Sequence, residues 1–257
     1  MMPKQDETNH NSKVRVPMFE LIERIDWDDL ITASRLTQTL IRQFAADKAL
    51  FRRVLLAVEH DPHLWAKCEE DIVEDKIVLW DDAKKGLRLR LRMSTGSQER
   101  LAHCHRFSFT NLVLRGSYIH WGYELEGEFN ERTRAEDFHT VLQHEDRAGD
   151  CFTIHHEALH STPFTELGTV SLILRGNPVK ERAPVMFKEG RSRKEAFQKQ
   201  LSSEMTTQVQ EPAVAAAGDM FWRVGESEET PERRRERQMG IDKYQYWCAW
   251  LAEQGIV

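Results

Sequence analysis

Two stretches decide how this chain reads: HCHRFSFTNLVLRG at residues 103–116 and GDCFTIHHEALH at residues 149–160. In the first, His103 and His105 are one residue apart, so in a strand both side chains point to one face and converge on a common centre. In the second, Gly149-Asp150 precedes an apolar strand and then His160. Neutral imidazole is a ligand for iron, zinc, copper or nickel, and three of them leave coordination positions open for a substrate or oxygen.

Outward from these stretches the hydropathy alternates. Ile77 and Leu79, then Leu87, Leu89 and Leu91, alternate with Lys, Arg and Asp, which fits half-buried strands. Strand-like runs recur near residues 107–115, 117–126, 139–145, 150–154 and 169–176, divided by Gly, Pro and polar turns, and predict an antiparallel sandwich or barrel. The flanks are helical. From Asp28 or Asp29, the positions Leu30, Ile31, Ala33, Leu36, Leu40, Ile41 and Phe44 recur at three- and four-residue steps. Leu50, Phe51, Val54, Leu55 and Val58 form a second helical stretch that Asp61-Pro62 stops. Pro231 opens a C-terminal helix with Tyr244, Trp247, Cys248 and Leu251 on one face. The expected layout is a disordered tail at 1–13, a helical segment at 14–72, a barrel at 73–190, a linker at 191–230 and a C-terminal helix at 231–257.

The two stretches together resemble the RmlC-like cupin superfamily, whose first motif runs His-x-His, a Glu and a turn glycine, and whose second runs Gly-Asp, an apolar strand and a His. The resemblance spans residues 75 to 187. It implies a mainly β fold, the cupin-type double-stranded β-helix or jelly-roll barrel, with helical N- and C-terminal extensions. It also implies His103, His105 and His160 as metal ligands. Where many cupins carry the Glu ligand, this chain has Phe109 and Thr110. Three neutral histidines keep the full charge of a divalent ion, which favours anionic or thiolate substrates. Three-histidine cupins include the thiol dioxygenases, which use ferrous iron, and VSLILRGNP at 170–178 is similar to their Ser-Leu-His-x-Tyr-x-x-Pro strand. Ile173 and Arg175 stand where that strand has its His and Tyr, so the relay pair of thiol dioxygenation is missing.

Other polar residues near the motifs are candidates for the pocket. Arg175 alternates with Ser171 on one strand face and can fork onto a substrate carboxylate, the alternatives being a surface arginine or a structural ion pair. His155 and His156 precede His160, and His156 shares its parity, making it the candidate acid, base or supporting partner. On the strand after Gly116, the even spacing of Tyr118, His120 and Glu124 allows one face to present all three to the pocket, with Glu124 as a carboxylate ligand; the preferred expectation puts that face in solvent and Trp121, Tyr123 and Leu125 inside, because the second set is more apolar. Cys104 is expected to point away from the ligands and Cys151 to fill apolar space. Arg115, just before a turn glycine, is expected to be solvated, as is the run Arg233, Arg234, Arg235 and Arg237, which Glu232 and Glu236 interleave.

The expected activity is that of a mononuclear metal-dependent oxygenase, with Fe(II) at the three histidines, molecular oxygen as co-substrate and a small anionic substrate. Zn(II) in a non-redox enzyme, or a non-catalytic binding protein, are the alternatives. A formal net charge of -6, from 36 Lys and Arg against 42 Asp and Glu, offers no global basic excess for nucleic acid. There is no run of apolar residues for a membrane span and no apolar signal at the N-terminus, so a cytoplasmic protein is expected. Four scattered cysteines without a C-x-x-C pair argue against a disulfide framework or zinc ribbon. The long N-terminal segment would suit a homodimer.

Overall fold

Which side of each strand is apolar decides where the site lies. The computed structural model describes residues 17–22, 24–71, 74–95, 99–130, 132–186, 220–223 and 230–257. The tail expected at 1–13 and most of the linker expected at 191–230 lie outside the described residues. The strands are β1 (Glu74–Asp82), β2 (Leu87–Ser94), β3 (Glu99–His103), β4 (Phe109–Arg115), β5 (Ser117–Leu125), β6 (Phe138–Arg147), β7 (Cys151–Ile154), β8 (Leu159–Thr165), β9 (Val170–Arg175), β10 (Ala183–Met186) and β11 (Met220–Arg223). They form one sheet in the order β1-β2-β9-β4-β7 and a second in the order β11-β10-β3-β8-β5-β6.

The pairing is nested. β5 pairs with β6, β4 with β7, β3 with β8 and β2 with β9, and successive pairs fall alternately in the two sheets. A long hairpin rolled up in this manner is a jelly roll. Two turns need glycine. Gly116 joins β4 to β5 at φ 74°, where a Cβ would stand 2.4 Å from Thr169 Oγ1, and Gly149 precedes β7 at φ 99°.

Helices cover the first sheet from outside. α1 (Pro17–Ile22) is followed by α2 (Leu30–Ala46), capped by Asp29, whose side chain accepts from Thr32 N–H. α3 (Lys48–Ala57) starts at the Asp47 cap. Phe44, Phe51 and Leu55 of these helices share one apolar core with Ile77 and Leu79, Leu89 and Leu91, and Leu172 and Leu174. Ile31 and Leu36, expected on the apolar face of α2, are instead exposed, and Thr37 takes a buried place with its hydroxyl 2.5 Å from that of Thr110 on β4.

One expectation is extended and two are corrected. Pro62 ends the preceding turn but also opens α4 (Pro62–Trp65), because proline fits the first helical position and Asp61 caps the N–H groups of His63 and Leu64. The C-terminal piece is two helices, α5 (Pro231–Glu236) and α6 (Ile241–Glu253), divided at residues 237–240. Four residues of the expected linker form β11, which pairs with β10. Tyr244 and Trp247 of α6 are buried, with Tyr244 Oη donating to Leu55 O and Trp247 Nε1 to Asp75 Oδ2 at 2.8 Å. No helix among the described residues is long and apolar enough to cross a membrane.

Candidate metal centre

Because the main apolar core lies between the helices and the first sheet, the barrel interior is free to be polar. On β2 the leucines take the helix side, and Arg92 on the opposite face lines a cavity of about 50 Å³ together with Glu74, its ion-pair partner. Asn111, Tyr118, His120, Phe152 and His160 complete much of its wall. That volume admits a few water-sized groups.

Of the three histidines, His160 lines this cavity, and His103 and His105 cluster with it at the cavity's edge. His103 ends β3 opposite His160 of β8 as a direct Cα partner, while His105 continues extended beyond the strand, its N–H donating to His156 O at 3.2 Å. One ring nitrogen from each of His103, His105 and His160 lies within 4.8 Å of the others. His105 Nε2 and His160 Nε2 are 2.6 Å apart. Two nitrogens on a tetrahedral zinc at ordinary bond lengths are about 3.3 Å apart, so these two rings need to open by about 0.7 Å to share an ion.

Burial sets the protonation of all three. Desolvation, with Arg92 acting in the same direction, pulls His103 down to about 4, and desolvation together with the neighbouring imidazoles and Arg92 holds His105 and His160 well below the usual imidazole range. They are therefore neutral near pH 7, as metal ligation requires. His103 Nδ1–H donates to Leu101 O at 2.8 Å, which leaves its Nε2 as the lone-pair nitrogen. The residues present fit a divalent metal held by imidazole.

Phe109, at the place where the resemblance puts a Glu, presents its ring to His105 with centroids 4.8 Å apart. It lies in an apolar patch with Ile154 and Ile173, flanked by Phe107 and Phe152. This side of the centre is apolar and, among the described residues, presents no carboxylate.

Carboxylate enters from another direction. His160 Nδ1 is 2.9 Å from His120 Nε2, His120 Nδ1 is 3.1 Å from Asp146 Oδ2, and the other oxygen of Asp146 is 3.0 Å from His144 Nε2. His120 and Asp146 are buried, and the His144 side chain is 38% exposed. The expectation that Tyr118 and His120 face solvent is thus corrected: both line the cavity, and Asn111 Nδ2 donates to Tyr118 Oη at 2.7 Å. Tyr123 packs with Ala102 and Phe138 in a separate apolar cluster, flanked by Trp121 and Leu125, so this strand has two sinks for apolar side chains. Register shifts at Ile119/Trp121 and Gly122/Tyr123 divide the strand between them. Glu124 is exposed.

The remaining candidates lie around the centre. Arg175 is buried with its guanidinium 4.6 Å from the centroid of Phe107, whose ring neighbours His105. His156 sits in the turn between β7 and β8, its Nδ1 3.2 Å from Ser108 Oγ, outside the three-histidine group. Arg115 Nη1 donates to Gly168 O at 2.8 Å, and its guanidinium stacks on Trp250, so it is a structural contact rather than a solvated charge. Cys104 is buried, and burial raises its thiol above the ordinary range, as it raises Cys151 to about 11. Arg233, Arg234 and Arg235 are exposed, while Arg237 reaches Glu69 at 3.5 Å.

His144 and Asp146 were not singled out as site residues by sequence reasoning, and His120 was weighed for the pocket but assigned to the solvent face. The available signal was the even spacing of Tyr118 and His120 on β5 and of His144 and Asp146 on β6, with His120 directly opposite His144 in the hairpin.

No protein-family model matches the chain, and no curated protein matches it. Among solved structures, the chain is similar to KdgF from a Halomonas species at 18% identity, covering 42% of this chain and 86% of that one with a TM-score of 0.30. An RmlC-like cupin from Shewanella frigidimarina matches at 16% identity over 44% of this chain and 85% of that one, with a TM-score of 0.30. Oxalate decarboxylase from Lactobacillus farciminis matches at 13% identity over 44% of this chain and 31% of that one, with a TM-score of 0.33. The jelly-roll assignment stands on the strand pairing.

Proposed function

We propose that this chain is a cupin-type, mononuclear metal-dependent enzyme, and that its reaction is the ferrous oxygenation of a small carboxylate or amino-acid-like substrate. The observation that carries the reading is the convergence of three neutral imidazoles, two buried and His105 half-buried, on the interior of a jelly roll. His103, His105 and His160 would hold the ion, and ferrous iron bound there would supply the redox chemistry between oxygen and substrate. Three neutral ligands leave its charge uncompensated, which favours an anion in the open positions.

The chain's own residues then bind, orient and exclude water. Arg175 is the proposed anchor for a substrate carboxylate, since its strand mate Ser171 lines the cavity and its stacking partner Phe107 flanks His105. Arg92 adds positive charge to the wall but is engaged by Glu74. Asn111, with its Oδ1 buried and unbonded at the cavity, would accept a hydrogen bond from a substrate amine or hydroxyl. Phe109, Phe152 and Ile154 form the apolar side that keeps water from the reacting groups. His156 is given a positioning part, because its carbonyl holds the His105 backbone.

The test is metal analysis of the purified protein together with oxygen uptake against a panel of small amino acids, thiols and carboxylates. Iron with substrate-dependent oxygen consumption is the expected result. Tightly held zinc without oxygen consumption would overturn the oxygenase reading in favour of Lewis-acid chemistry, and a metal-free protein that still binds ligand would overturn both.

A further inference from the structure

We infer that Asp146, acting through His120, is a positioning residue that sets His160 in the tautomer whose bare Nε2 faces the three-histidine centre. The argument runs along the hydrogen bonds. An ionised carboxylate only accepts, so the 3.1 Å contact between Asp146 Oδ2 and His120 Nδ1 places a proton on that Nδ1. With that nitrogen protonated, His120 Nε2 is the acceptor, and the 2.9 Å contact with His160 Nδ1 places the His160 proton on Nδ1. With its proton on Nδ1, His160 offers Nε2 as the acceptor in the 2.6 Å contact with His105 Nε2, so in the metal-free protein the N–H of that pair belongs to His105 and the bare nitrogen of His160 faces the centre.

His103 reaches the same state by a shorter route, through Leu101 O. The two histidines that pair across β3 and β8 therefore both present Nε2. The carboxylate that the centre lacks at Phe109 is supplied at a distance of two imidazoles, where it makes His160 a stronger donor without occupying a coordination position. His144, the outermost member, takes up the second Asp146 oxygen and holds the carboxylate plane.

A competing assignment for His120, His144 and Asp146 is a second metal site, since their donor atoms also lie within 4.8 Å of one another. The hydrogen bonds favour positioning: each of the four facing atoms already has its partner at 3.0 or 3.1 Å, and His120 is committed at its other nitrogen to His160. The inference rests on the proposed metal centre for its purpose, yet the tautomer itself is a property of the metal-free protein.

The experiment uses the full chain, labelled with 15N and stripped of metal with a chelator. Long-range proton–nitrogen correlation spectra report the tautomer of each histidine, with His160 assigned by its loss in His160→Gln. His160 protonated at Nδ1 is the expected result, and His160 protonated at Nε2 overturns the inference. Zinc affinity, measured by competition with a chromophoric chelator, should fall about 10- to 100-fold in Asp146→Asn and in His120→Phe. Affinities within twofold of the parent in both folded variants would overturn it, as would two zinc ions per chain with one lost in Asp146→Asn. If the parent protein binds no zinc, the metal reading of the centre fails, and the tautomer spectrum alone decides the inference.

Discussion

Acidifying the metal-free protein from pH 6 to pH 5 should remove about 1 kcal/mol of stability through His103, with His105 and His160 adding losses in the same direction. An unfolded histidine titrates near 6.5, whereas burial holds His103 at about 4 and His105 and His160 well below their ordinary range. Across this interval the unfolded chain binds protons that the folded chain refuses, so stability falls as pH falls. With its folded value at about 4, His103 contributes about 1.2 kcal/mol of that loss, close to the limit of about 1.4 kcal/mol per pH unit for one proton. The interval lies above the carboxylates, whose depressed members, Glu69 and Glu74 at about 2, add their own losses below it. His156 acts in the same direction but is less buried and contributes less. The assay is urea unfolding at closely spaced pH values in the presence of a chelator. His103→Gln should reduce the slope by about one proton. A stability unchanged between pH 6 and pH 5 would refute the claim that these imidazoles are held neutral.

Three other outcomes are expected. Gly116→Ala should cost about 3 kcal/mol or more in urea unfolding, because positive φ is combined with contact against the Thr169 backbone, whereas Gly127→Ala, with open space around its Cβ, should cost about 1 kcal/mol. Trp247→Phe should lose about 1–3 kcal/mol by stripping a hydrogen bond from the buried Asp75 carboxylate, leaving Lys243 as its remaining ion-pair partner. Arg175→Lys should raise KM for a carboxylate substrate about tenfold or more while metal content is unchanged, measured by oxygen uptake and elemental analysis.

The helices were legible because their periodicity and caps act locally: Asp29 and the repeat through Phe44 mark α2, and Tyr244, Trp247 and Leu251 mark α6. The three histidines were legible as residues, since spacing by two brings His103 and His105 to one side. The side of the sheet was not. Leucines alternating with arginines on β2 look like an inside and an outside, but here helices cover the outer face, so the leucines point away from the barrel and Arg92 points into it. The same inversion hid His120, whose polar character looked like exposure. β8 was missed because LHSTPFT carries a proline and little apolar alternation, although its pairing with β3 and β5 holds it extended. Asp146 has no local signature beyond its even spacing from His144, since its role depends on an imidazole contributed by the opposite strand of the hairpin.

X-ray absorption at the metal edge of the loaded protein tests the central claim most directly. Three imidazole nitrogens at about 2.0–2.2 Å, reduced by one in His103→Gln, are expected. Sulfur scatterers, or a spectrum unchanged by that substitution, would contradict the account.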